Sequence, residues 1–423
     1  MSGMPSRDVL LAGMFDMRNY GDLLFPLVAR DALARHGLVA VPVAPTAPGP
    51  VLGDAMAPVA LGDVLAGGAA ARGIAIGGGY IIHAQNLDFI EDYDSGGTGA
   101  WAGTGLWLGA TLAAALHDMP VAWNAPGVPH PFTTVQRPVV AASCRAADYL
   151  AVRDRGSADL LDPPVDVACA VVPDPVAGIA AMWPRAGLEA AYHELLARKG
   201  VPLGARLLAI HVRNRSMAGL APEALGAALG ALARAHEAVP MLVAVGQSHD
   251  DPLVARRLAP HVDGPVLLLD DPRGLREITA ALAFSAAYVG ASLHGYVVAG
   301  AYGVPGVLLG RPAYRKFAGF LAHAGRPEDL ARDWDGAIAL AAGRLAAPRH
   351  GGWPPSLLAA LDRHWSALAT ALADPASRRA ARQEFLRSLV VHGMAREGPG
   401  WALLPFLSRA TRAAAISGAH RHG

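Results

Sequence analysis

The sequence is short of cysteine, of blocks of like charge and of charged residues altogether, and each shortage removes a class of function. Cys144 and Cys169 are the only cysteines in 423 residues. They are too few for a disulfide framework or a thiolate metal site and read as small buried side chains of a reducing compartment. Formal net charge is +1 and no run of Lys or Arg stands out, which argues against nucleic acid or a diffuse anionic-membrane footprint as partner. Any basic site has to be local. No His, Asp and Glu cluster has ligand-like spacing, so no metal and no bound cofactor are expected. The apolar stretch Val9 to Met14 is too brief for a signal-peptide core, and a cytoplasmic location is the expectation. Asp, Glu, Lys and Arg are also missing from Ile278 to Gly310, a stretch long enough on paper to span a bilayer. Its His294, Pro305 and repeated glycines suit instead a helix, strand, turn, helix and strand of a buried α/β core.

What the chain does have is apolar residues. At 53% hydrophobic against 17% charged, it can bury a large core divided over two or three domains. Short apolar runs alternate with helical patterns: Val9 to Gly13, Leu23 to His36, Leu38 to Val43, Gly73 to Ile76, Leu106 to His117, Val121 to Asn124, Tyr149 to Val152 and Asp166 to Val172. That rhythm marks a parallel sheet with crossover helices. After a break at Pro173, Asp174 and Pro175 a second series starts at Leu207 to Val212 and continues through Met241 to Val245, Val266 to Leu269, Ala287 to Gly290 and Val307 to Leu309. The expectation is an α/β chain of two Rossmann-like domains, 1–178 and 179–345, followed over 346–423 by helices packed on the domain junction and a frayed basic tail.

Five segments carry candidate chemistry. Asn19, Tyr20, Gly21 and Asp22 follow the first strand. Asp22 is either the N-cap of the next helix or, with Asn19, a ligand-facing pair at a strand's carboxyl end. Gly77, Gly78 and Gly79 end another strand, as a tight turn or as a place where backbone amides approach a ligand; they complete neither a dinucleotide fingerprint nor a P-loop. His83, Asn86 and Gly96 to Gly105 suggest a rim. Arg153 and Asp154, with Ser157 beyond, read as a helix-capping pair or a ligand contact. His211, Arg213 and Arg215 alternate, which would put them on one face of an extended strand, where two arginines call for partner carboxylates or a bound anion. Ser292, Leu293, His294 and Gly295 open a helix expected over Tyr296 to Tyr302. There, free amides suit a phosphate or carboxylate, and the histidine either touches the anion or caps its own backbone.

Taken in order, Asn19-Tyr20-Gly21-Asp22, Gly77-Gly78-Gly79, Gly127-Val128, Val152-Arg153-Asp154 with Ser157, Pro173-Asp174-Pro175, Glu277, Leu293-His294-Gly295, Gly303-Val304-Pro305 and Lys316-Phe317 resemble the polysaccharide pyruvyl transferase family over about three quarters of the chain. The resemblance implies a GT-B-like pair of domains with the site in the cleft. It implies phosphoenolpyruvate as donor on the C-terminal side, a sugar or glycolipid acceptor of cell-envelope polysaccharide on the N-terminal side, and membrane association only through that acceptor. Catalytic roles fall on His294 as acid and Asp22 as acceptor base. Substrate contacts fall on Asn19, Gly78, Gly79, Arg153, Arg213, Arg215, Ser292, Gly295 and Lys316. Many members carry Arg where this chain has Ser292, so Arg213, Arg215, Arg311 or Lys316 would have to supply that charge. The alternatives are a nucleotide-sugar glycosyltransferase of the same architecture and a non-catalytic sugar-binding partner in envelope biosynthesis.

Overall fold

The computed structural model describes residues 6–404, apart from 69, 91–92, 94–96, 218, 247–249, 350 and 375–376. The first half runs β1 (Asp8–Ala12), α1 (Tyr20–Ala34), β2 (Val39–Ala44), β3 (Val59–Ala60), α2 (Leu61–Leu65), β4 (Gly73–Gly77), α3 (Gly99–Thr104), α4 (Ala110–Leu116), β5 (Val121–Asn124), α5 (Arg137–Ala146), β6 (Ala151–Val152), α6 (Arg155–Leu161) and β7 (Ala170–Val171). A 3₁₀ turn at Pro175–Gly178, α7 (Ile179–Met182) and α8 (Glu189–Lys199) lead into the second half. That half comprises β8 (Leu207–His211), α9 (Asn214–Met217), α10 (Pro222–Ala235), β9 (Val239–Val243), α11 (Asp251–Leu258), β10 (Leu267–Leu269), α12 (Leu275–Phe284), β11 (Ala287–Gly290), α13 (Leu293–Ala301), β12 (Gly306–Leu309), α14 (Arg315–Ala324), β13 (Leu330–Ala331) and α15 (Trp334–Ala346). The chain closes with α16 (Pro355–Ala371), α17 (Arg379–Glu397) and α18 (Pro399–Leu403).

Both large sheets are parallel, in the orders β3-β2-β1-β4-β5 and β10-β9-β8-β11-β12-β13. In each, the strand order reverses direction beside the first strand of the half, between β1 and β4 and between β8 and β11. Such a switch point leaves a crevice at the carboxyl ends of the two strands. Alternation sorts the apolar side chains: Val9 and Leu11 of β1 and Leu207 and Ala209 of β8 share one core, Leu10 and Ala12 belong to a second, and Leu208 and Ile210 to a third. The first core lies between the sheets and includes most of α1, α12 and α13, so the two halves are joined by apolar burial as well as by the chain.

Polar contacts hold the halves at the cleft. The Tyr20 amide donates to the Val245 carbonyl at 2.8 Å and Asn19 forms an antiparallel bridge with Gly246. The Tyr20 hydroxyl meets Thr279 Oγ1 at 2.8 Å, and Asp54 accepts from the amides of Leu275 and Arg276 at the start of α12.

Three expectations differ from the structure, and the reading of the charge-free stretch as a buried α/β core is met. The run from Tyr149 pairs chiefly with β7 in a separate two-stranded ladder and touches β5 through one bridge at Ala122. Helix α13 begins at Leu293 and not at Tyr296, because Ser292 caps it. Of the C-terminal helices, α16 packs near the junction, whereas α17 lies on α4 and α5 of the first half, anchored by Arg382 to Asp148 at 3.0 Å. The charge-free stretch Ile278 to Gly310 lies almost wholly inside α12, β11, α13 and β12, each short. Among the described residues no helix is long and apolar enough to cross a membrane. Most of the tail, 405–423, lies outside the described residues, as does Gly96.

Candidate active site

The two switch-point crevices face each other and form one cleft with a cavity of about 240 Å³. From the first half, Asn19, Asp22, Gly79, Tyr80, His83 and Arg153 line it; from the second, Arg213, Ser292, His294 and Lys316.

On the first wall α1 starts at Tyr20, so Asn19 and not Asp22 occupies the cap position, and Asp22 sits in the first turn. The Asn19 side-chain amide donates to Asp22 Oδ2 at 2.6 Å, which holds the carboxylate toward the cleft. Gly78 and Gly79 have φ of +90° and +75°, the left-handed region that favours glycine. A Cβ on Gly78 would enter the Phe25 ring and one on Gly79 would come within 2.8 Å of Asp22 Oδ1. Gly78 therefore permits packing behind the cleft, and only Gly79 lines it. His83 is buried, and burial with His130 nearby pushes its pKa down to about 4, so it is neutral at pH 7. Asn86 is exposed and bonded to Asp88, outside the lining.

Arg153 is 4% exposed. Its guanidinium lies 3.6 Å from Asp154, 3.8 Å from Asp174 and 4.3 Å from the Tyr80 ring centre. Its Nε and Nη2 are buried without a hydrogen-bond partner among the described residues, an arrangement that favours an anion in the cleft. Asp154 takes the capping role, accepting from the Ser157 amide at 2.6 Å, while the Ser157 hydroxyl accepts from the Val128 amide at 3.1 Å. Gly127 is required by close approach, since a Cβ there would fall 2.6 Å from Arg153 Nε.

On the second wall Ser292 Oγ accepts from the Gly295 amide at 3.2 Å. Ser292, not His294, thus caps α13, and Gly295 serves the cap and packs against the Tyr288 hydroxyl. This frees the His294 ring. It stands edge-on to Phe25 with centroids 5.4 Å apart, places Nε2 3.5 Å from Asp174 Oδ2, and presses Nδ1 against Gly21 so closely that a Cβ there would fall 1.7 Å from it. The glycine of the Asn-Tyr-Gly-Asp segment is thereby explained by a ring from the other half of the chain. Asp174 is fully buried, which raises its pKa, yet His294 and Arg153 together hold it below the usual carboxylate range.

Lys316, one of the only two lysines in the chain, enters from α14 with Nζ 5.2 Å from the Tyr80 ring centre. Burial, then the charges of Arg153 and Arg213, push its pKa down to about 7. Arg213 reaches the cleft with its side chain 25% exposed. The alternation argument fails beyond it: β8 ends at His211, the chain turns into α9, and Arg215 is exposed and outside the lining. His211 is fully buried, and Arg311 is exposed away from the cleft. Glu277 serves structure, bound to Arg198 at 2.7 Å. Among the described residues no three His, Cys, Asp or Glu side chains gather as for a metal ion.

Sequence reasoning missed Asp174 as a partner, although Pro173 and Pro175 flag its turn, and missed Tyr80 and Asp251. Tyr80 follows the glycines directly, but nothing local shows that its ring would lie beneath two cations.

Among solved structures the chain is similar to UDP-N-acetylglucosamine 2-epimerase from Rickettsia bellii (9% identity, 94% of this chain and 100% of that one, TM-score 0.49). It is also similar to UDP-GlcNAc 2-epimerase from Neisseria meningitidis bound to UDP-GlcNAc (10%, 91% and 98%, 0.46) and to α,α-trehalose 6-phosphate synthase from Burkholderia multivorans (16%, 92% and 99%, 0.43). None of the curated proteins matches the sequence. The family model described as polysaccharide pyruvyl transferase matches residues 19–312, a span that starts at Asn19 and takes in both switch points, and the chain belongs to that family.

Proposed function

We propose that the cleft transfers a pyruvyl group from phosphoenolpyruvate to a pair of hydroxyls on a sugar of a cell-surface polysaccharide or its precursor, forming a ketal. The observation that carries this reading is the convergence of Arg153, Arg213 and Lys316 on a cavity of about 240 Å³ that also holds His294, Asp22 and the start of α13. A small acid with both a carboxylate and a phosphate matches three cations and a helix N-terminus in so small a space. A nucleotide diphosphate sugar would need more room.

In this reading His294 delivers a proton to the methylene carbon of the donor, with its ring steadied by Asp174 and Gly21. One sugar hydroxyl attacks the resulting cationic carbon, and Asp22 takes its proton. The C–O bond to phosphate breaks, with the leaving charge met by Arg153, Arg213 and a protonated Lys316. The second hydroxyl closes the ketal and its proton leaves with phosphate or solvent. The balance is one phosphoenolpyruvate and one diol in, one ketal and one inorganic phosphate out. No bound cofactor enters the scheme. The acceptor sits against the first wall, and a lipid-linked acceptor would bring the protein to a membrane surface.

Calorimetric titration with phosphoenolpyruvate, followed by phosphate release on adding sugar diols, tests the proposal. Saturable binding that weakens in Arg213→Ala supports it, and absence of binding in folded protein defeats it.

A further inference from the structure

Arg213 lies just beyond the last residue of a strand, on a segment whose direction the strand no longer dictates, yet its guanidinium is brought to the cleft. The group that does this is Asp251, the first residue of α11 and 1% exposed. Its Oδ2 accepts from His211 Nε2 at 2.9 Å and from the Gly246 amide at 2.7 Å, and its Oδ1 lies 3.5 Å from Arg213 Nε.

Each of these groups is itself fixed. His211 ends β8 opposite Gly290 of β11, and a Cβ on Gly290 would fall 2.7 Å from that of His211, so the strands clasp the histidine backbone. Gly246 bridges to Asn19, whose side chain donates to Asp22 at 2.6 Å. One buried carboxylate thus stands between the donor-side cation and, through Gly246 and Asn19, the acceptor-side carboxylate.

We infer that Asp251 is a positioning residue for the transfer reaction, holding Arg213 at the distance from Asp22 that donor and acceptor together require. This rests on the proposed reading of the cleft as a phosphoenolpyruvate site. A buried carboxylate is retained only where donors compensate its desolvation, and here His211, the Gly246 amide and the Arg213 guanidinium, all from the second half of the chain, surround it. Asp251 is the one ion-pair partner of Arg213 among the described residues. Without it a long side chain regains its rotamer freedom and the donor has to order it on binding.

A double-mutant cycle tests the inference, with kcat, KM for phosphoenolpyruvate and melting temperature measured for wild type, Asp251→Asn, Arg213→Ala and the double variant. Asp251→Asn is expected to raise KM about 10-fold, the loss of one charge-assisted contact, with kcat within about threefold of wild type. In the Arg213→Ala background the same change is expected to raise KM no further. Equal penalties in both backgrounds would overturn the inference, as would a lower melting temperature with KM unchanged. Tighter donor binding by Asp251→Asn would also overturn it, because Asp251 would then merely screen Arg213. If Asp251→Asn does not fold, Asp251→Glu, which keeps the charge but shifts it by one methylene, takes its place with the same expected split. If wild type neither binds nor turns over phosphoenolpyruvate, the donor reading is what has failed. The cycle read by titration with inorganic phosphate then decides the coupling of Arg213 to Asp251.

Discussion

Each half of the chain sets a strand-to-helix turn at the cleft, and the two turns carry different charge. In the first half β1 leads to α1, whose first turn carries Asp22; in the second β11 leads to α13, whose first turn carries no acidic residue. Both helix starts offer a positive dipole end. At α1 that field already faces a carboxylate, pinned by Asn19. At α13 Ser292 caps one amide and leaves the remaining field to whatever enters the cleft, beside His294, Arg213 and Lys316. The fold therefore brings two helix starts to one cleft, and their first turns give its walls different charge.

The largest expected effect falls on the second helix start. His294→Ala should lower kcat by about 10²- to 10⁴-fold, the usual contribution of a positioned proton donor. Because Ser292 does the capping, melting temperature should stay near wild type. Near-normal turnover would make the two turns alike in serving only the fold.

The reciprocal change lies on the first helix start. Gly21→Ala should displace the His294 ring and cost about 10²-fold in kcat, as misplacing a catalytic group by an ångström does. Overpacking there should also destabilise the protein by about 1–3 kcal/mol. Steady-state kinetics on the folded fraction, beside a thermal melt, separates the two losses. Unchanged kcat would show that the ring's position does not matter.

Arg213→Ala should weaken phosphoenolpyruvate binding by about 1.5–3 kcal/mol, the value of hydrogen bonds to charged groups, with little change in acceptor affinity. Calorimetry with each substrate measures both. Equal loss for donor and acceptor would erase the division of the cleft into an anion side and a hydroxyl side.

The smallest effect is a fraction of a proton. With its pKa held down to about 7, Lys316 is largely neutral at about pH 8, and a bound anion favours its charged form and raises that pKa. Donor binding at about pH 8 should therefore take up protons. The uptake should fade below about pH 6, where Lys316 is already charged, and vanish in Lys316→Met. Calorimetry in buffers of different ionisation enthalpy reads it. For stability the sign follows from the same shift. The unfolded chain, with an ordinary lysine, binds the proton more readily than the folded one, so this group adds stability as pH rises from about 7 toward the ordinary lysine range.

Much of this was legible from residues. Apolar runs bounded by glycine and proline located the ends of β1, β4, β8 and β11 to within a residue or so, and the resemblance singled out His294, Asp22 and Arg153, which the fold brings to one cleft. The exceptions share a cause. Arg215 was assigned to the cleft on strand alternation, a periodicity that lapses once β8 ends at His211. By sequence Asp22 reads as a possible cap, but the backbone bridge of Asn19 to Gly246 and the Tyr20 bond to Val245 start the helix three residues earlier. Asp251 and Tyr80 carried no local signal, because their partners lie 38 and 73 positions away in Arg213 and Arg153.

The sequence by itself determined the alternation of strand and helix, the two halves and the break at Pro173 to Pro175, since these follow from short-range periodicity and from the backbone limits of glycine and proline. Only the tertiary structure decided the strand orders that set both switch points side by side, and with them the meeting of Gly21 with His294, Asp174 with Arg153 and Asp251 with Arg213. Those contacts join residues distant in the chain. Their geometry comes from how two sheets pack around a shared core, which no local pattern encodes.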